Sequence, residues 1–71
     1  MTFESMQTIS PGASVTVRLI QGENRLVIEA AGAVTPVEIE AALPELLTHL
    51  ATKAGLPVRH GGRVYRPGLS T

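Results

Sequence analysis

The chain has no cysteine and no tryptophan, and its only aromatic residues are Phe3 and Tyr65. Without cysteine it can form neither a disulfide nor a thiolate metal site. The two histidines, His49 and His60, are too few for a zinc cluster. So little aromatic bulk requires an aliphatic core built from Val, Leu, Ile and Ala. Phosphate-binding glycine signatures are missing too, since Gly61-Gly62 stands outside any GxGxxG or GxxxxGK[ST] context. No apolar stretch approaches the ~20 residues of a membrane span. The N-terminus shows neither the basic start nor the apolar run of a signal peptide. These absences set the expectation of a cytoplasmic protein that holds no metal or small-molecule cofactor and does not enter a membrane.

What is present fits one domain, because 71 residues allow no more. A domain this small buries a reduced fraction of its surface and commonly leans on disulfides, a metal or a partner subunit. Composition removes the first two, which leaves self-association. Hydrophobic residues make up 44% of the chain, more than a disordered sequence carries. For one thin layer of structure this is a surplus, and it points to an oligomer or a bound protein partner. The formal net charge is zero, yet all six acids lie at or before Glu45. Lys53, Arg59, Arg63 and Arg66 then follow without an acid, giving an acidic body and a basic tail.

Residues 1–12 show no clear period: Phe3, Met6 and Ile9 are spaced by three in a polar context that ends at Pro11-Gly12. A flexible arm is the first expectation, with a short edge strand from Gln7 as the second. The domain proper then spans 13–66. Val15, Val17 and Leu19 alternate with Ser14, Thr16 and Arg18, which predicts a half-buried strand over Ser14 to Ile20. Gln21-Gly22-Glu23-Asn24 is a turn, in which Gly22 and Asn24 can take positive φ. Arg25 to Ala31 is the return strand, with Leu26, Ile28 and Ala30 on one face. Val27 and Ile20 make the other face partly apolar, so that side too is expected to be covered, and Val27, Ile20 and the helix residue Leu47 are the candidates for self-association.

Thr35-Pro36-Val37-Glu38 is a capping box: Thr35 accepts from the N3 amide, Glu38 reaches back, and Pro36 suits N1. Gly55 offers a left-handed C′ residue and Pro57 forbids continuation, so a helix is predicted from Thr35 to Gly55. Ile39, Leu43, Leu46, Leu47, Leu50 and Ala54 form its apolar stripe. Glu45, His49 and Lys53 form a solvated row on the other side. Pro44 removes the bond to the Glu40 carbonyl at a cost of ~3 kcal/mol. Because the stripe crosses it without a phase change, one kinked helix is expected rather than two short ones. Val58 to Arg66 then reads as a small hairpin about Gly61-Gly62, followed by a frayed tail at 67–71. The class is α+β, a β-hairpin followed by one helix and a C-terminal strand or hairpin.

Catalysis needs a nucleophile, a tuned acid or base, or a metal, placed together. His49 sits in a surface row, and Glu38 is already used by the cap. No enzyme is expected. The candidate binding residues are Arg59, His60, Arg63, Tyr65 and Arg66, which could grip a phosphate backbone and stack a base. Against that, the chain as a whole lacks the basic surplus of nucleic-acid binders. The strand–strand–helix order and the run Thr35-Pro36-Val37-Glu38-Ile39-Glu40-Ala41-Ala42-Leu43-Pro44 resemble the E component of the PRTRC plasmid gene cluster, whose helix opens on a TP-x-E-L-x-A pattern. That resemblance implies a mobile-element accessory protein; it carries over no site residues, and the basic tail has no counterpart in it. The expected function is therefore a non-enzymatic interaction or regulatory protein that binds a protein partner or itself, with nucleic-acid binding through the basic hairpin as the alternative.

Overall fold

The computed structural model describes residues 1–23 and 25–68. They form an α+β fold: β1 (Thr2–Ser10), β2 (Ala13–Ile20), a 3-10 turn at Gln21–Glu23, β3 (Arg25–Ala31), α1 (Pro36–Ala54), β4 (Val58–His60) and β5 (Arg63–Tyr65). The turn role expected of Asn24 and the frayed end expected at 69–71 lie outside the described residues.

The first three strands make one antiparallel sheet in the order β1-β2-β3, and β4 and β5 make a separate hairpin. Residues 1–12 are therefore not a flexible arm. They carry β1, which pairs with β2 from Thr2 opposite Ile20 to Thr8 opposite Ser14. The physical reason is that this strand is made by its pairing more than by its own hydrophobicity. Phe3 and Ile9 reach the core from the same face as Ser5, which is buried, and the polar Ser5 and Gln7 hide the period of two. Pro11-Gly12 turns the chain back, with Gly12 at φ 80°. The register slips by one residue between Thr8 and Ser10, which leaves Ile9 as the extra residue of β1.

β2 is the central strand and follows the predicted alternation. Ala13, Val15, Val17 and Leu19 are buried, while Ser14, Thr16, Arg18 and Ile20 are half-buried on the other face. Gly32 closes β3 at φ 79°, and a Cβ there would lie 2.1 Å from the Gly12 carbonyl oxygen. Only glycine satisfies both the left-handed backbone and the close approach.

The helix starts and stops as its caps require. Thr35 Oγ1 accepts from the Glu38 amide at 3.2 Å, and Glu38 Oε1 accepts from the Thr35 amide at 2.9 Å. Gly55 adopts φ 71°, and its amide and that of Leu56 both donate to the Ala51 carbonyl. Between these ends the chain is one helix through Pro44, which stands on its exposed side. Leu43, Leu46, Leu47 and Leu50, with Ala42 and Ala51, are buried against Val15, Val17 and Leu19, and Val58 of β4 closes the cluster. Burying four leucines at ~1.5–3 kcal/mol each is of the order of the ~4–10 kcal/mol net stability of a chain this size, so sheet and helix stand or fall together.

α1 lies over β1 and β2, and β3 has no comparable contact with it. Leu26 and Ile28 pack on the core yet stay half-exposed, and Ala30 is exposed. Of the tail expected to fray from residue 67, the described part reaches back to α1, since the Gly68 amide donates to Thr52 Oγ1 at 2.6 Å.

Candidate interaction surface

The basic hairpin forms as predicted, with Gly61 and Gly62 at φ 59° and 77° in its turn. Its pairing, however, divides the candidate residues. Val58 opposes Tyr65, Arg59 opposes Val64 and His60 opposes Arg63. Paired residues share a face and neighbours alternate. His60, Arg63 and Tyr65 thus share a face with the buried Val58, while Arg59 lies on the opposite face with Val64. Tyr65 packs against the core and is half-buried, so its ring is partly used in holding the hairpin to α1. Arg66 is exposed beyond the end of β5. Arg63 and His60 line a shallow groove of about 380 Å³ whose far wall includes Glu40, Leu43 and Pro44. A carboxylate on that wall opposes an anionic ligand.

The outer face of the main sheet carries an ion-pair belt. Arg18 Nε donates to Glu4 Oε2 at 2.6 Å, and Arg18 Nη1 donates to Glu29 Oε1. The bond to Glu4 and the charge of Glu29 raise the Arg18 pKa above its ordinary value. This belt sets a charged row across the face that Ile20 and Val27 were expected to make apolar, and both of those residues are half-buried beside it. The belt suits water, which weighs against a second covering layer on this face. Leu47, the third candidate for self-association, is fully buried in the core and is not a surface residue. The helix stripe is used up within the chain.

What remains are the two edges of the sheet, and they differ. The Gln21 amide donates to the Met1 carbonyl at 3.0 Å, which makes Met1–Gln21 a hydrogen-bonded pair. Backbone groups point alternately to the two sides of a strand. Odd-numbered residues of β1 therefore face β2, and the Glu4 carbonyl points outward. That carbonyl is met by Lys53 Nζ at 2.7 Å. The edge of β1 is thus blocked by a lysine from the helix and interrupted by the register slip at Ile9, two devices that keep an edge from pairing with another chain. The same alternation carried through Arg18 opposite Val27 turns the odd-numbered residues of β3 toward β2. The N–H and C=O groups of Leu26, Ile28 and Ala30 then point to the open side. Among the described residues β2 is the one element in extensive contact with β3, and β3 pairs with it residue by residue from Arg25 to Ala31. Lys53 in this role was not readable from the sequence, where it belongs to a solvated row; nothing local ties it to Glu4, which lies far away along the chain.

Below this edge, on the helix side, Leu19, Leu26, Leu56, Pro57 and Val58 line a groove of about 440 Å³ with the polar Gln21 and the candidate residue Arg59. Among the described residues no three His, Asp or Glu side chains are grouped to hold a metal ion, and no helix is long and apolar enough to cross a membrane. No protein-family model, curated protein or solved structure matches this chain.

Proposed function

We propose that this protein is a non-enzymatic interaction protein, an accessory or regulatory subunit that works by protein–protein binding and self-associates through the edge of β3. The observation that carries this reading is the unequal treatment of the two sheet edges. Lys53 caps the Glu4 carbonyl on the edge of β1, while β3 offers a regularly paired, apolar stretch, Leu26-Val27-Ile28, with backbone groups on the side away from β2. An exposed edge of that composition is a template for pairing. Leu26 and Ile28, which the core covers only in part, add apolar area next to it.

The nucleic-acid reading has less behind it. The hairpin register puts Arg59 and Arg63 on opposite faces, although both border the concavity at its tip, holds Tyr65 against the core and lets Glu40 share the groove of Arg63. The proposal is tested by light scattering on the purified chain and on Val27→Lys. The expected result is a mass of twice the chain for the wild type and of one chain for Val27→Lys, with the circular dichroism spectrum retained. A wild-type chain that stays single at every concentration removes the proposal.

A further inference from the structure

The self-association reading leaves the geometry of the pair open, and the residues of β3 select one geometry. We infer that two copies join antiparallel in the register centred on Val27, with Arg25 of each copy opposite Glu29 of the other, so that the two sheets continue as one.

Side chains alternate between faces, so a continuous sheet requires odd-numbered residues to oppose odd and even to oppose even. A two-fold pairing of β3 with itself must then be centred on a residue, and Leu26, Val27 and Ile28 are the central choices. Centring on Ile28 sets Arg25 against Ala31 and Glu29 against Val27, charge against apolar surface. Centring on Leu26 brings Glu29 toward Glu23, like charge toward like. Centring on Val27 sets Arg25 opposite Glu29 and Glu29 opposite Arg25, with Val27 meeting its own copy between them. This is the self-complementary pattern of an isologous interface, where residue i meets j and j meets i.

The backbone permits this register, as it does the other two. Leu26 and Ile28 present their N–H and C=O groups to the open side, as the bond from Gln21 to Met1 dictates through the pairing of the three strands. In the Val27-centred register Leu26 opposes Ile28 of the second copy, and the two exchange both backbone bonds, twice by symmetry. On the helix side of the sheet the same pairs bring the half-exposed Leu26 and Ile28 of one copy against Ile28 and Leu26 of the other. On the outer face Arg25 and Glu29 are both exposed, and Arg25 makes a loose 3.5 Å contact with Glu23. Arg18 binds Oε1 of Glu29, and Oε2 can accept from Arg25 of the second copy.

The chain has no cysteine, so introduced thiols report the register without background. Val27 against Val27 is a non-hydrogen-bonded pair with Cα atoms ~4.5 Å apart, inside the ~4.4–6.8 Å range of a disulfide. The experiment is mild oxidation of Val27→Cys, Ile28→Cys and Met6→Cys, together with the dimer dissociation constant of Arg25→Glu. Val27→Cys is expected to become mostly covalent dimer while Ile28→Cys and Met6→Cys stay mostly single chains. Arg25→Glu, at an exposed position that leaves the core untouched, is expected to weaken the dimer on the order of tenfold, because both ion pairs become repulsive. If the wild type is a dimer by light scattering but Ile28→Cys or Met6→Cys links as readily as Val27→Cys, or Arg25→Glu dimerises as tightly as the wild type, this register is overturned while self-association stands. If the wild type is a monomer, both fall together.

Discussion

Lys53, in the last turn of α1, reaches across the sheet edge and donates from Nζ to the Glu4 carbonyl at 2.7 Å. One side chain thereby ties the helix C-terminus to the first strand and occupies an outward-pointing acceptor of β1. Replacing it with Met keeps much of the aliphatic stem and deletes the donor. Lys53→Met is expected to cost ~0.5–1.5 kcal/mol in urea unfolding and to add a minor fraction of species larger than a dimer in light scattering, since the register slip at Ile9 then guards the edge of β1 alone.

Gly32 and Gly22 make a paired test of the backbone. At Gly32 a side chain meets a positive φ and the Gly12 carbonyl at 2.1 Å; at Gly22 a Cβ meets nothing within 4 Å. Gly32→Ala is expected to lose more than ~2 kcal/mol, the left-handed penalty plus the clash. Gly22→Ala is expected to stay within ~0.5 kcal/mol of wild type. Chemical denaturation of both variants decides the matter.

Core and edge should separate cleanly in mutation. Leu47 is fully buried, so Leu47→Ala is expected to cost ~2–5 kcal/mol and to leave the chain marginally folded. Val27→Lys is expected to change association while the unfolding midpoint of the monomer moves little. Thermal melts beside light scattering give both quantities.

The capping box predicts its own deletion. Thr35 Oγ1 accepts from the Glu38 amide and Glu38 returns the bond. Thr35→Ala is expected to cost ~0.5–2 kcal/mol, and Thr35→Ser to recover most of it, measured as urea midpoints.

The helix was legible because its signals are local. Thr35, Glu38 and Gly55 each act through the backbone of the adjacent turn, and the leucine stripe survives Pro44 because the proline stands on the exposed side. The hairpin of β2 and β3 was legible for the same reason, as period-two alternation about a turn. β1 was hidden because Ser5 and Gln7 occupy inward positions, so its strand character comes from pairing with β2 and not from its own pattern. The basic tail drew attention as a run of charge, yet a two-stranded hairpin sends neighbouring residues to opposite faces and divides that run. The charges on which the proposed pairing rests, Arg25 and Glu29 placed symmetrically about Val27, are legible in the sequence. The contrast between the two edges is not, because it comes from Lys53 meeting the Glu4 carbonyl, a contact between residues far apart in the chain.

Self-association of this protein rests on whether β3 pairs with a second copy. Light scattering coupled to size exclusion, run over a range of concentrations, tests that most directly. The expected result is a species of twice the 7.5 kDa chain mass that reverts to a single folded chain in Val27→Lys. A single chain of 7.5 kDa throughout, or a dimer untouched by Val27→Lys, contradicts it.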